Sequence, residues 1–141
     1  MKRNLLYGIL LMLPLLSSCE RYKTYKLDGM WQLKTVKDSN GNENQVDTVF
    51  YSFMREVIFS FTMTENSKSA IYPVYGYIDL PSDNQVHVLI NDISNTDHIE
   101  SFLYLSGWSS ADITFDIKKY DSSNLILFDN GTGKTFTLKK F

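Results

Sequence analysis

Between residues 55 and 63 the chain alternates. Val57, Phe59, Phe61 and Met63 fall on one side of an extended backbone, and Glu56, Ser60 and Thr62 on the other. A period of two marks a half-buried strand, so the Phe59 and Phe61 row is expected to face a core. Residues 85–91 repeat the pattern, with Val86, Val88 and Ile90 set against Gln85, His87 and Leu89. A strand over residues 30–37 ends at the turn cluster Asp38-Ser39-Asn40-Gly41-Asn42, whose residue types favour turns. Residues 71–78 read as a strand apolar or aromatic on both faces, closed by the Pro81-containing segment 79–84. Three further strands, at residues 112–120, 124–128 and 134–141, are separated by Asp121-Ser122-Ser123 and Asp129-Asn130-Gly131-Thr132-Gly133. Both linkers carry hairpin chemistry. Residues 46–53 are apolar without deciding between a strand and a helical turn. Alternation is lost over 94–108, where Ile99, Phe102, Leu103 and Leu105 predict a short helix before Gly107.

Seven or eight short strands at regular spacing, with one helix, predict an all-β domain, a barrel or a sandwich. Consecutive hairpins favour an antiparallel up-and-down barrel of about eight strands, because closure removes exposed edges.

The first eighteen residues follow a different logic. Lys2 and Arg3 precede an apolar run from residue 5 to 16, and Ser17-Ser18 lead to Cys19. That order is an N-terminal signal peptide. The run contains Pro14 and is shorter than the roughly 20 apolar residues a membrane-spanning helix needs. Leu16-Ser17-Ser18-Cys19 resembles the lipobox of bacterial lipoproteins, and the resemblance implies cleavage before Cys19 and diacylglycerol on its sulfur. The expected organisation is a lipoprotein signal peptide at 1–18, a lipidated N-terminus and tether at 19–28, and a barrel domain at 29–141. Cys19 is the only cysteine. Lipid on its sulfur leaves no thiol for a disulfide or a nucleophile.

Composition narrows the partners. The formal charge is −2, and loss of Lys2 and Arg3 with the signal takes it to −4. A mildly acidic chain lacks the basic footprint of nucleic-acid binding. It also lacks electrostatic adhesion to anionic lipid, which leaves the anchor as the expected membrane contact.

Gly29-Met30-Trp31, at the start of the first strand, resembles the lipocalin signature. Together with the lipobox and the ending Phe136-Thr137-Leu138-Lys139-Lys140-Phe141, the chain is similar to the small lipocalin-like lipoproteins of Bacteroides and relatives, many of unknown function. The resemblance implies a lipocalin-like barrel in which Gly29 turns the chain inward. Trp31 plugs the closed end, stacked on a basic side chain of the last strand, with Lys139 the expected partner and Lys140 the alternative. It also implies a membrane-anchored protein that binds a small apolar or amphipathic ligand.

Ligand pockets are mostly apolar with a few polar handles. Phe59, Phe61, Tyr75, Tyr77 and Phe115 are therefore the expected lining, with His87 as a polar group. The alternative is a barrel filled by its own side chains, a structural or interaction lipoprotein meeting an envelope protein through loops 38–47 and 91–108.

Other chemistry is thin. Gly131-Thr132-Gly133-Lys134-Thr135 lacks the first glycine of a phosphate loop, which would fall at Phe128, and precedes a strand instead of a helix, so it reads as a hairpin turn. Asp97, His98 and Glu100 lack the spacing of a zinc site, and no Gly-x-Ser-x-Gly elbow is present. No catalytic residue, metal or cofactor is expected. Bacteroides-type lipoproteins exported to the surface carry an acidic run after the lipidated cysteine, whereas residues 20–23 hold one acidic side chain, Glu20, so the resemblance implies an outer-membrane protein facing the periplasm.

Overall fold

The structure, a computed structural model, describes residues 23–63, 70–91 and 96–141. The predicted signal peptide and Cys19 lie outside the described residues. Nine strands appear among those described: β1 (Gly29–Lys37), β2 (Glu43–Gln45), β3 (Val49–Met54), β4 (Val57–Met63), β5 (Ala70–Asp79), β6 (Gln85–Ile90), β7 (Asp112–Tyr120), β8 (Asn124–Asp129) and β9 (Lys134–Lys140). Every pairing is antiparallel, and sequence neighbours pair in turn from β3 to β9. β1 pairs with both β3 and β9, which closes an eight-stranded barrel, and β2 adds a short flap to the far end of β1.

A 3-10 turn, Lys23–Leu27, closes one end. This segment was expected to belong to the tether. Instead Leu27 and Thr24 are buried, and Leu27 joins the core. The turn packs against β3 and β5. Tyr120 Oη and Lys26 Nζ fasten it, donating to the carbonyls of Lys26 and Asp83.

Helix α1 (Thr96–Ser106) covers the other end, resting on β4 and β5. Phe102 is its fully buried anchor. The segment after α1 is tied to the β8–β9 turn. Lys134 Nζ donates to the Gly107 carbonyl at 2.9 Å, and Ser109 Oγ to Asp129 Oδ2 at 3.1 Å. Thr132 Oγ1 and the Gly131 amide donate to the same carboxylate. Burial works against the Asp129 charge, but these donors prevail and hold its carboxyl below the usual range. The Gly-Thr-Gly segment is thus a carboxylate-capped hairpin turn.

The interior is filled. Trp31, Leu33, Tyr51, Phe115, Phe136 and Leu138 are fully buried, at inward positions of β1, β3, β7 and β9. β6 behaves as its pattern predicts, with Val86, Val88 and Ile90 inside. β4 does the opposite. Ile58, Ser60 and Thr62 are buried, while Val57 is exposed and Phe59, Phe61 and Met63 are half-buried on the outer surface.

The hairpin explains the reversal. A two-residue turn, Arg55-Glu56, pairs Met54 with Val57 and Phe53 with Ile58. Phe53 and Tyr51 are core residues of β3. Cross-strand partners share a face, so Ile58, Ser60 and Thr62 must follow them inward. The outer rings then cover one another. Phe50 stacks on Phe61 at 5.2 Å, and Phe59 lies 5.6 Å from Phe61 and 4.8 Å from Tyr75.

Candidate functional site: the helix-covered mouth

The aromatic plug beneath α1 is built from the wall, the helix and the segment after it. Tyr51 of β3 lies 6.1 Å from Phe102 and 5.4 Å from Trp108, centroid to centroid. Trp108 meets Phe115 at 5.1 Å, and Phe115 meets Phe136 at 5.4 Å. Gly107 takes a positive φ of 74°, the left-handed conformation in which glycine commonly ends a helix. That turn directs the next residue, Trp108, back over the barrel.

Within this plug Tyr51 Oη and Trp108 Nε1 are buried and make no well-aligned hydrogen bond, and on β4 Thr62 Oγ1 is buried without a partner. The Tyr51 hydroxyl lies beside Trp108 and Ser106, and burial drives its pKa far above the usual phenol value, so it stays a neutral donor. Ser60, by contrast, is satisfied, its hydroxyl donating to the Phe50 carbonyl at 2.7 Å. An open depression of about 670 Å³ adjoins this rim, lined by Val46, Phe50, Met63 and Leu105 with Gln45, Asp47 and Thr48.

The residues expected to line a cavity are split by the wall. Phe115 is inside and fully buried. Phe59 and Phe61 are outside, and so are Tyr75 and Tyr77, at 53% and 60% exposure. The expected inward aromatic row is corrected by the β3–β4 register, and the β5 tyrosines follow it through the pairs Phe59–Tyr75 and Val57–Tyr77.

His87 is also on the outer surface. Its Nδ1 lies 2.6 Å from Asp79 Oδ1 and its Nε2 2.8 Å from Asp112 Oδ1. Hydrogen bonds to Asp112 and Asp79 raise its pKa above the ordinary histidine value. It is a cross-strand clamp, set apart from any ligand lining.

At the closed end, Trp31 Nε1 donates to the Leu27 carbonyl at 2.8 Å. The cation over its ring is Lys140, 4.4 Å from the centroid. Lys139, the expected partner, points outward and donates to Asn124 Oδ1 at 2.6 Å. Gly29 has φ 125°, and a Cβ there would lie 2.2 Å from Lys140 Nζ. The glycine therefore leaves room for the lysine to reach the indole.

Asp97 and Glu100 are exposed on α1. The His98 ring meets Tyr72 edge-on at 5.8 Å, with Nδ1 buried and unpartnered. Among the described residues no group of three or more histidine, cysteine or acidic side chains is placed to hold a metal ion. Sequence reasoning missed Tyr51, Thr62 and Trp108. Only the hairpin register would have shown that Thr62 lies inside.

A lipocalin-like domain model matches residues 14–141. The chain belongs to the lipocalin-like domain family. Its fold agrees with two solved structures from Bacteroides. A lipocalin-like protein from Bacteroides uniformis aligns with a TM-score of 0.69 at 22% identity, over 82% of this chain and 99% of that one. An uncharacterized protein from Bacteroides eggerthii aligns with a TM-score of 0.66 at 22% identity, over 81% and 98%. No curated protein matches the sequence. A lipocalin-like barrel has an architecture suited to binding, since eight strands enclose just enough space for side chains or one small ligand.

Proposed function

We propose that this lipocalin-like protein is a non-catalytic binding lipoprotein of the outer membrane, facing the periplasm and anchored through Cys19. It takes one small amphipathic molecule at the mouth beneath α1. The observation that carries this reading is the buried polar pair Tyr51 Oη and Trp108 Nε1, which lie side by side in the aromatic plug without completing a well-aligned hydrogen bond, with Thr62 Oγ1 also buried and unpartnered on β4. Each buried, unsatisfied polar group costs about 1–3 kcal/mol, and a ligand that pairs with them recovers part of that cost.

The donors define the ligand's head. An indole N–H only donates, and a neutral phenol and a threonine hydroxyl donate readily. A carbonyl or carboxylate fits them, with an apolar body against the surrounding rings. Phe102 and Trp108, which occupy the space, come from α1 and the segment after it, so a ligand enters by displacing that unit against the Lys134–Gly107 and Ser109–Asp129 ties, with the strand ladder left intact.

Native mass spectrometry of the mature protein taken from its envelope tests this reading. The expected result is a co-purified small molecule, with retention lowered by Thr62→Val. A bare polypeptide mass, together with no change in tryptophan emission on titration with fatty acids, would contradict it.

The filled interior favours a second reading, in which the loops at 38–47 and 91–108, partly outside the described residues, meet an envelope protein. Enrichment of one partner by the wild-type protein, lost when loop 38–47 is shortened, would support that reading.

A further inference from the structure

The outer surface of β3, β4 and β5 is apolar where a solvated barrel wall is ordinarily polar. Met54, Val57 and Tyr77 form one outward row, because Met54 pairs with Val57 and Val57 with Tyr77. Phe59 and Tyr75 form the next. Phe141 extends the surface from the far side, its ring 5.0 Å from Phe50. Met54 is 67% exposed and Phe141 74%. Isolated surface hydrophobes are ordinary, but a contiguous patch marks a contact surface.

Position identifies the occupant. Met54, Val57 and Phe141 lie towards the end closed by the 3-10 turn, whose first residue is Lys23. Four residue steps separate Cys19 from Lys23, which allows at most roughly 14 Å of chain. The turn packs on β3 and β5, the strands that carry the apolar wall. A lipid on Cys19 thus holds this end of the barrel beside the headgroups, with the wall close at hand. Tyrosine at the water–hydrocarbon boundary, together with methionine and phenylalanine, suits an interface with an apolar side.

We infer that the outer wall of β3–β5, with Phe141, seats on the phospholipid bilayer, giving the anchored barrel a fixed orientation. The inference rests on the Cys19 anchor of the proposed function. It supplies by apolar contact the membrane grip that the acidic mature chain lacks in charge.

Two separate measurements distinguish the anchor from the wall. Mass spectrometry of the natively produced protein reads the lipid on Cys19, and an unmodified Cys19 defeats the anchor. The wall is read on the mature chain, residues 19–141, made without lipid and coupled through its single thiol to maleimide-bearing phosphatidylethanolamine in vesicles. This fixes the tether at Cys19 whatever its native modification. Tyr77→Trp and Tyr104→Trp are compared with the unsubstituted protein in vesicles containing brominated acyl chains; Tyr104 lies on α1 at the opposite end and is 86% exposed. The expected result is about twofold quenching of the indole introduced at 77, and none of that at 104, as for an interfacial aromatic. No added quenching at 77, or equal quenching at both positions, overturns the seat. Protection of position 77 by self-association or by a protein partner, without bromolipid quenching, overturns it too.

Discussion

Trp31 owes its setting to a neighbour 109 residues away. The Lys140 ammonium sits 4.4 Å from the indole centroid and donates to the Asp28 carbonyl, across a Gly29 that has no side chain to obstruct it. A cation over tryptophan at an exposed site contributes about 0.5–1 kcal/mol. Lys140→Ala is therefore expected to lower urea stability by about that amount, while Lys139→Ala stays within about 0.5 kcal/mol, as surface changes usually do. Equal losses would contradict the assignment. The tryptophan and glycine were legible in the sequence; the choice between adjacent lysines was not. It depends on Leu138 pairing with Leu33 inside the barrel, which puts Lys140 on the inner face and Lys139 on the outer.

His87 illustrates the same scale in pH. Asp112 and Asp79 favour its charged form, so its folded pKa lies above the ordinary 6.5. The clamp's stabilisation is complete below the unfolded value near 6.5, and is lost as pH rises through the folded pKa. NMR titration should place His87 above 6.5, and Asp112→Asn or Asp79→Asn should each lower it. A value at or below 6.5 in the unsubstituted protein would contradict the clamp.

Among the elements, β4 shows why alternation is only half of an assignment. Period two separates two sets of side chains but does not say which set is inside. The larger set, with Phe59 and Phe61, is outside because the two-residue turn pairs Ile58 with Phe53. In β6 the inward set, Val86, Val88 and Ile90, is wholly apolar while the outward set holds Gln85 and His87, and the neighbouring strands place Ile78, Ile113 and Phe115 inward beside it. The helix was legible from Ile99, Phe102, Leu103 and Leu105, although its start at Thr96 was not. β5 hides a further constraint. Gly76 sits opposite Ile90, and a Cβ there would lie 2.3 Å from the Leu89 carbonyl oxygen. That oxygen is backbone and cannot swing away, so Gly76→Ala should cost about 1–3 kcal/mol by overpacking. Thermal unfolding with no loss of stability would show that the two strands stand further apart than described.

For the whole molecule, closure and hairpin order were the most legible features, since each strand pairs with a sequence neighbour from β3 to β9. The candidate site was the least legible, because it is assembled from β3, β4 and the segment after α1, and no local pattern joins Tyr51, Thr62 and Trp108. The barrel wall has one orientation: polar Ser60 and Thr62 inside, aromatic Phe59, Tyr75 and Tyr77 outside. Tyrosine nitration of the native protein in the absence of membrane, mapped by peptide mass spectrometry, tests that orientation directly. Tyr75 and Tyr77 should be modified readily, and Tyr51 only after unfolding. Modification of Tyr51 in the native barrel with Tyr75 and Tyr77 protected would contradict the orientation, and with it both the proposed site and the membrane-facing wall.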